Sequence, residues 1–139
     1  MRKARPVLSV AAMIVWLAGC ATLSKPRDTI AHVNPASIAA SPAEWDGRQV
    51  EMVGLVAWDS GAFYQDYGTY CRGGERTAIA VDWHNWPGVT RADNRRRVVV
   101  RGVFHNRPGA AAAGPGPLEP GQVVRWLSAP AKPCPRALP

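Results

Sequence analysis

Two runs of alternating apolar and polar residues constrain the fold of this chain more than any other feature. The first run covers residues 48–58 and the second covers residues 97–104. Such alternation is typical of a strand with one buried face, so each run predicts a strand. Gly54 lies in the middle of the first run, and a glycine inside a strand often marks a bulge or a sharp bend. The sequence therefore predicts a long first strand that curls around a small barrel.

Shorter segments complete the predicted set of elements. Further strands are expected at residues 62–65, 77–83 and 122–128, with loops at 66–76, 85–95 and 106–121. Pro35 and Pro42 each follow a residue that suits a helix N-cap, which predicts one or two short helical turns in residues 35–45. The loop 106–121 is rich in Ala, Gly and Pro and is predicted to be mobile.

These elements predict a mainly β fold, a small five-stranded OB-like barrel with one or two short N-terminal helical turns. A chain of 139 residues is too short for a doubly wound nucleotide-binding enzyme or a (β/α)₈ barrel. Its 13 Gly and 13 Pro residues also favour short strands and turns over long helices.

Two stretches resemble small OB-fold-like proteins that bacteria export. Residues 44–54 read EWDGRQVEMVG, similar to the aromatic-Asp-Gly-Lys/Arg-x-Val run that leads a strand ending in glycine in those proteins. Residues 98–104 read VVVRGVF and resemble their later V-x-V-x-G-x-F strand. The resemblance covers about residues 34–128. It implies a fold and carries no chemistry with it.

The amino terminus has the pattern of a targeting segment. A basic start, MRKARP, precedes a short apolar run, which predicts a secretory signal peptide in residues 1–19. Leu17-Ala18-Gly19-Cys20 resembles the lipobox of bacterial lipoproteins at all four positions. The resemblance implies that residues 1–19 are removed and that acylated Cys20 anchors the protein in a membrane. An ordinary signal peptide or an uncleaved anchor is the alternative.

The expected lipoprotein divides into three parts. A lipidated tether spans residues 20–33, the barrel spans 34–128, and a Pro-rich tail held only at Cys134 spans 129–139. Ala21 follows the acylated cysteine, where many lipoproteins of the inner membrane carry Asp. The expected location is therefore the bacterial cell envelope, at the outer membrane facing the periplasm rather than the inner membrane.

Net charge gives little support to a nucleic-acid partner. The chain carries a formal charge of +7, which falls to about +4 once Arg2, Lys3 and Arg5 leave with the signal peptide. Export also separates the protein from most nucleic acid. No nucleic-acid partner is expected.

Cys71 and Cys134 remain after Cys20 is assigned to lipid. An even pair of cysteines in an oxidising compartment predicts a disulfide. Two free thiols are the alternative, and no C-x-x-C pattern indicates a metal site.

No arrangement of residues indicates an enzyme, a cofactor or a metal. No serine lies in a G-x-S-x-G elbow, and Asp82 and His84 are two ligands where a metal site needs three or four. The basic run 94–97 could contact anionic lipid or an acidic partner, but a solubilising turn is the favoured interpretation.

Aromatic side chains are the most distinctive feature of the predicted second and third strands and of their loops. They are Phe63, Tyr64, Tyr67, Tyr70, Trp83 and Trp86. In OB-folds this region binds oligosaccharides or oligonucleotides, so a ligand or partner face is one interpretation. Cover for a thin core is the other, and the sequence leaves both open.

The expected function is a binding or structural module without enzymatic activity. Its partners are a membrane, through Cys20, and a protein or glycan of the envelope. A glycan-binding module and an unrecognised envelope hydrolase are the alternatives.

Overall fold

The computed structural model describes residues 29–107 and 114–135 of the chain. The predicted signal peptide and the acylation site Cys20 lie outside the described residues. So do residues 108–113 of the predicted mobile loop and residues 136–139 of the tail. None of the helices in the described ranges has the length and apolar character needed to cross a membrane.

Short strands dominate the described part of the chain, which confirms a mainly β domain. The strands are β1 (Ala31–Val33), β2 (Gln49–Ala57), β3 (Ala62–Tyr64), β4 (Ile79–Ala80), β5 (Arg97–Val103) and β6 (Gln122–Trp126). The helices are α1 (Pro35–Ala40), α2 (Pro42–Trp45) and α3 (Tyr67–Cys71), with 3₁₀ turns at Glu75–Thr77, Trp83–Asn85 and Arg91–Asp93. Asn34 caps α1 by accepting the backbone N–H of Ser37 at 2.8 Å.

Strand β2 organises the sheet, whose order is β4-β3-β2-β5-β6. One edge of β2 pairs with β5 in antiparallel register from Gln49 opposite Val103 to Leu55 opposite Arg97. The other edge is shared, since β1 pairs with its first half and β3 with its second half. The long first strand predicted from alternation therefore carries partners on both sides.

Strand β1 corrects the predicted extent of the tether. Residues 31–33, assigned to the tether from the sequence, pair with β2 in parallel register, with His32 opposite Glu51. Three residues are too few for alternation to reveal a strand. The folded domain thus begins before residue 34, and the described sheet has six strands rather than the predicted five.

Gly54 is required for a reason that differs from the predicted bulge. Pairing between β2 and β5 runs through Gly54 without a shift in register. A Cβ atom at this position would come within 2.7 Å of Cζ in the Phe63 ring and would also collide with the carbonyl of Tyr64. The glycine therefore permits a close approach of β3 to β2. The register shift of this sheet lies between Val99 and Val100, in the pairing of β5 with β6.

The core lies on the inner face of β2 and β5. Val98, Val100 and Phe104 are fully buried on the face that alternation predicts. Trp83 packs into the same cluster and donates its indole N–H to the carbonyl of Ala62 at 2.8 Å. A second, smaller cluster is formed around Leu55 beneath α3. Each fully buried large side chain contributes about 1.5–3 kcal/mol to stability.

The sheet is not closed into a barrel by a continuous ladder of strands. Its two ends meet instead at Leu118, which forms isolated bridges with Val81 in parallel and with Phe104 in antiparallel orientation. Leu118 is only 1% exposed, although the sequence places it in the predicted mobile loop 106–121. The described end of that loop, from residue 114, is therefore part of the folded domain.

A helix and a disulfide replace the loop predicted for residues 66–76. Asp66 accepts the backbone N–H of Thr69 at 2.7 Å and so caps α3. At the end of α3, Cys71 is bonded to Cys134, with their Cα atoms 5.4 Å apart. The predicted disulfide is confirmed.

The tail is held at more points than Cys134. The backbone N–H of Ala131 donates to the carbonyl of Arg95 at 3.0 Å. The hydroxyl of Tyr67 donates to the carbonyl of Lys132, also at 3.0 Å. The prediction of a tail held only by its cysteine is therefore wrong for the described residues.

Candidate functional site

The aromatic residues singled out from the sequence lie mainly in the core. Phe63 and Trp83 are fully buried, and Tyr64 and Trp86 are 4% and 2% exposed. Tyr67 is half-buried over the smaller cluster. Of the two interpretations that the sequence leaves open, burial favours core cover for the first four. These four side chains do not form an exposed ligand face.

A cleft of about 490 Å³ lies where three connecting segments meet. Its lining residues are Asp82, Asn85, His105, Arg107, Pro117, Leu118, Glu119 and Pro120. The first two follow β4, the next two follow β5, and the last four precede β6. Loops supported by a rigid sheet are a common position for binding residues.

Main-chain hydrogen bonds hold the floor of the cleft in place. Leu118 N–H donates to the carbonyl of Ala80 at 2.9 Å, and Glu119 N–H donates to the carbonyl of Val103 at 2.8 Å. In the opposite direction, the N–H of His105 donates to the carbonyl of Pro117 at 3.0 Å. The strip of residues 116–119 is thus fixed to both β4 and the segment after β5. The backbone from which its side chains project is therefore held in place.

Gly116 allows this strip to approach β4. A Cβ atom there would lie 2.9 Å from the carbonyl oxygen of Ala80, and its φ of +147° is one that other residues rarely adopt. A side chain at Gly116 would therefore push the strip away from the sheet. Gly116 thus serves a packing role within this low-complexity segment.

Paired polar side chains line the walls of the cleft. His105 Nε2 lies 2.8 Å from Glu119 Oε2, and Asn85 donates to Asp82 at 2.6 Å. Arg107 makes no ion pair within the described ranges. Together these polar side chains present hydrogen-bond donors and acceptors beside the apolar ring of Pro117. Such a lining suits a polar ligand with some apolar surface.

An exposed aromatic contact lies beside the cleft. The rings of Trp58 and His84 are 4.6 Å apart between centroids, and Trp58 is half-buried. His84 Nδ1 is 3.9 Å from a carboxylate oxygen of Asp82, which lines the cleft. A partly exposed indole is a flat apolar surface next to the polar walls.

The described residues contain no group of three or more His, Cys, Asp or Glu side chains placed to hold a metal ion. Asp82, considered from the sequence with His84 as a metal ligand, instead accepts a hydrogen bond from Asn85 at 2.6 Å and lies 3.9 Å from Nδ1 of His84.

The carboxyl groups with shifted pKa lie outside the cleft. The hydrogen bond from Arg101 lowers the pKa of Glu51 against the opposing effect of burial, and His32 adds to the lowering. Backbone and hydroxyl hydrogen bonds from Thr69 lower the pKa of Asp66, the α3 cap. Both carboxylates are therefore stabilised in their charged form by structural contacts.

Asp93 behaves in the same way in the basic turn before β5. Burial alone would raise the pKa of Asp93, but hydrogen bonds from Thr90 and Arg96 outweigh burial and lower it. Arg96 also lies 4.1 Å from the centre of the Trp126 ring and donates to the carbonyl of Ser128 at 3.0 Å. Within the basic run 94–97, Arg96 thus has a structural role, which agrees with the favoured turn interpretation.

Sequence reasoning missed the cleft because its walls come from three distant segments. From the sequence, Asp82 is only one of two candidate metal ligands, and Glu119 lies in the predicted mobile loop. One available signal was Leu118, a lone large apolar residue between prolines and glycines. An isolated apolar residue of this kind can mark the point at which a loop enters the core.

Comparison with known proteins adds no relative from which a role could be transferred. No protein-family model, no curated protein and no solved structure matches this chain.

Proposed function

We propose that this chain is a lipid-anchored module of the bacterial cell envelope that binds an envelope component without catalysing a reaction. The lipobox residues 17–20 support the anchor on Cys20, and Ala21 supports the outer membrane, facing the periplasm. The Cys71–Cys134 disulfide is consistent with an oxidising compartment of this kind.

We also propose that the domain is a variant of the OB-like architecture. The long β2 pairs with both β3 and β5, as a shared first strand does in a small Greek-key barrel. The parallel bridge between Val81 and Leu118 supports this assignment, because it links the two ends of the sheet where a barrel would close. Two features depart from that architecture. One is the additional strand β1, and the other is that an isolated bridge, rather than a continuous ladder, links the two ends of the sheet.

The observation that carries the binding function is the cleft of about 490 Å³, whose lining combines charged and amide side chains with apolar ones. Its walls hold fixed pairs of donors and acceptors, His105 with Glu119 and Asn85 with Asp82. Side chains held by partners lose little freedom when a ligand binds, so less binding energy is spent on ordering them. These paired side chains are therefore preorganised for binding a ligand.

A more specific candidate function is the binding of a glycan in this cleft. One observation favours a glycan over a protein as the ligand. Carboxylate, carboxamide and guanidinium groups line the cleft, and the Trp58 ring lies beside it against His84. Sugars present hydroxyl groups for the polar groups and an apolar face for the ring. Cell-wall glycan is such a ligand in the envelope.

The test combines in vivo cross-linking of the tagged, lipidated protein with retention on purified cell-wall glycan. The wild type should hold one dominant protein partner or remain on the glycan. Glu119→Gln should weaken this binding about tenfold or more, because a hydrogen bond to a charged group contributes about 1.5–3 kcal/mol. Glu44→Gln, at an exposed acid on α2, is the matched control and should bind normally.

The melting curve of each variant separates binding from folding. Glu119 is exposed, so Glu119→Gln should leave the free energy of unfolding within about 0.5 kcal/mol of the wild-type value. If Glu119→Gln and Asp82→Asn both bind normally, the cleft is not the binding site. Turnover of an envelope polymer would contradict the non-catalytic role.

A further inference from the structure

The outer face of the sheet, opposite the main core, presents a row of side chains from three neighbouring strands. We call it the basic face and define it by Glu51, Val53, Arg97, Val99, Arg101, Gln122 and Arg125. Their registers show that they share one side: Val53 is opposite Val99, which is opposite Arg125, while Val98 and Val100 point into the core. On this side of the sheet, α3 covers the second half of β2. The first half, which carries Glu51 and Val53, is not covered by α3.

Charge on the basic face is unbalanced. Arg101 is neutralised by Glu51, with Nη2 and Oε2 2.7 Å apart. Arg97 and Arg125 are exposed and form no ion pair in residues 29–107 and 114–135. Two guanidinium groups therefore remain available to an anionic partner.

Apolar side chains lie between these arginines. Val53 is 39% exposed, and Val99 is nearly covered by the side chains around it. Leu127, which follows β6 and donates its N–H to the carbonyl of Arg97, is also 39% exposed. Basic groups around a small apolar surface are suited to the headgroup region of an anionic bilayer.

The expected anchor is attached at the edge of this face. Cys20 precedes Ala31, the first residue of β1, by eleven positions, and that length spans at most about 36–40 Å when fully extended. β1 pairs with β2, and His32 lies 3.2 Å from Glu51 on the basic face itself. A membrane that holds Cys20 therefore lies within this length of chain of β1, beside the basic face.

We propose that the basic face docks on anionic phospholipid headgroups of the membrane that holds the lipid anchor. The proposal rests on the proposed acylation of Cys20, which keeps the domain near the bilayer. Each arginine at an anionic surface contributes enough attraction that removing Arg97 and Arg125 should lower the docked-to-undocked ratio about thirty-fold. The interaction should weaken with salt for the same reason.

The experiment uses the full lipidated chain, purified from bacterial membranes and reconstituted into vesicles. One set of vesicles contains phosphatidylglycerol and the other contains only phosphatidylcholine. A polarity-sensitive fluorophore is attached to Val53→Cys on the face or to Ser60→Cys in the exposed turn after β2. The introduced thiol is the one free for labelling, because Cys71 and Cys134 are bonded and Cys20 is expected to carry lipid.

The Val53 label should shift to shorter wavelength in anionic vesicles and not in neutral ones, while the Ser60 label stays unchanged. Arg97→Gln with Arg125→Gln, or high salt, should abolish the shift. A label at Gln122→Cys, which is also on the basic face, should show the same emission shift. It serves as a second probe if the label at Val53 disturbs β2.

Flotation of the vesicles separates the two proposals. Equal emission in both lipids, with the protein floating in both, would overturn docking and leave the anchor standing. Protein that fails to float would overturn the anchor and the docking together. A shift produced by an acidic peptide but not by anionic vesicles would assign the face to an acidic protein and overturn membrane docking.

Discussion

Gly54 shows at the scale of one residue how tightly the two halves of the sheet are packed. An alanine there would bring its Cβ into the Phe63 ring and the Tyr64 carbonyl, both buried. Because backbone cannot move aside as a side-chain end does, we expect Gly54→Ala to lower the free energy of unfolding by about 1–3 kcal/mol. Urea denaturation measures this loss.

The neighbouring Val53 provides the control for this change. Its side chain is 39% exposed on the other side of the same strand. Val53→Ala should therefore cost less than Gly54→Ala, roughly 0.5–1 kcal/mol, from lost strand propensity and partial burial. Equal stability of Gly54→Ala and the wild type would show that β3 can move away from β2.

At the scale of elements, the disulfide fastens the tail to α3. Cys71 and Cys134 are 63 positions apart, so the bond closes a large part of the domain into one loop. We expect Cys71→Ser with Cys134→Ser to lower the free energy of unfolding by about 2–4 kcal/mol. Tyr67→Phe, which removes only a hydroxyl bond to the tail, should lose about 0.5–1.5 kcal/mol.

Thiol labelling supplies the chemical check on this prediction. The unfolded, non-reduced protein should show no reactive thiol at either cysteine, and two after reduction. Reactive thiols before reduction would contradict the bond, whatever the stability of the double variant.

The elements that the sequence predicts are those with a local signature. Alternation predicts β2 and β5 nearly to their ends, and Pro35 and Pro42 predict the two turns of helix before them. Cysteine parity predicts the disulfide, because only two cysteines remain after Cys20 is assigned to lipid. In each case, neighbouring residues or a simple count carry the information.

The elements that the sequence misses depend on contacts between distant residues. β1 is a strand only because β2 offers it an edge, and Leu118 is buried only because Val81 and Phe104 approach it. The cleft follows from the same convergence, since its walls assemble around the strip that contains Leu118. The aromatic residues left both interpretations open, because rings are equally suited to a core or to a surface, and burial in the structure favours the core.

At the scale of the whole molecule, the lowered pKa values of three carboxyl groups in the described residues predict how stability depends on pH. Glu51 joins two strands, Asp66 begins α3 and Asp93 fixes the turn before β5, so each carboxylate fastens a different part of the fold. Their ordinary pKa values are 4.5 for Glu and 3.8 for Asp, and all three pKa values are lower in the folded protein. Above these ordinary values the stabilisation is fully present.

Below about pH 5 the unfolded chain takes up protons before the folded protein does, so stability falls as the pH decreases towards the folded pKa values. We expect the urea midpoint to hold steady from pH 7 to about pH 5 and then to decrease, with the disulfide intact throughout. Glu51→Gln with Asp93→Asn should start from a lower midpoint and lose less of it on acidification. Glu44→Gln with Asp59→Asn, at two exposed acids, is the control and should reproduce the wild-type profile. An unchanged acid slope in the first double variant would mean that these two carboxylates do not fasten the fold as their contacts indicate.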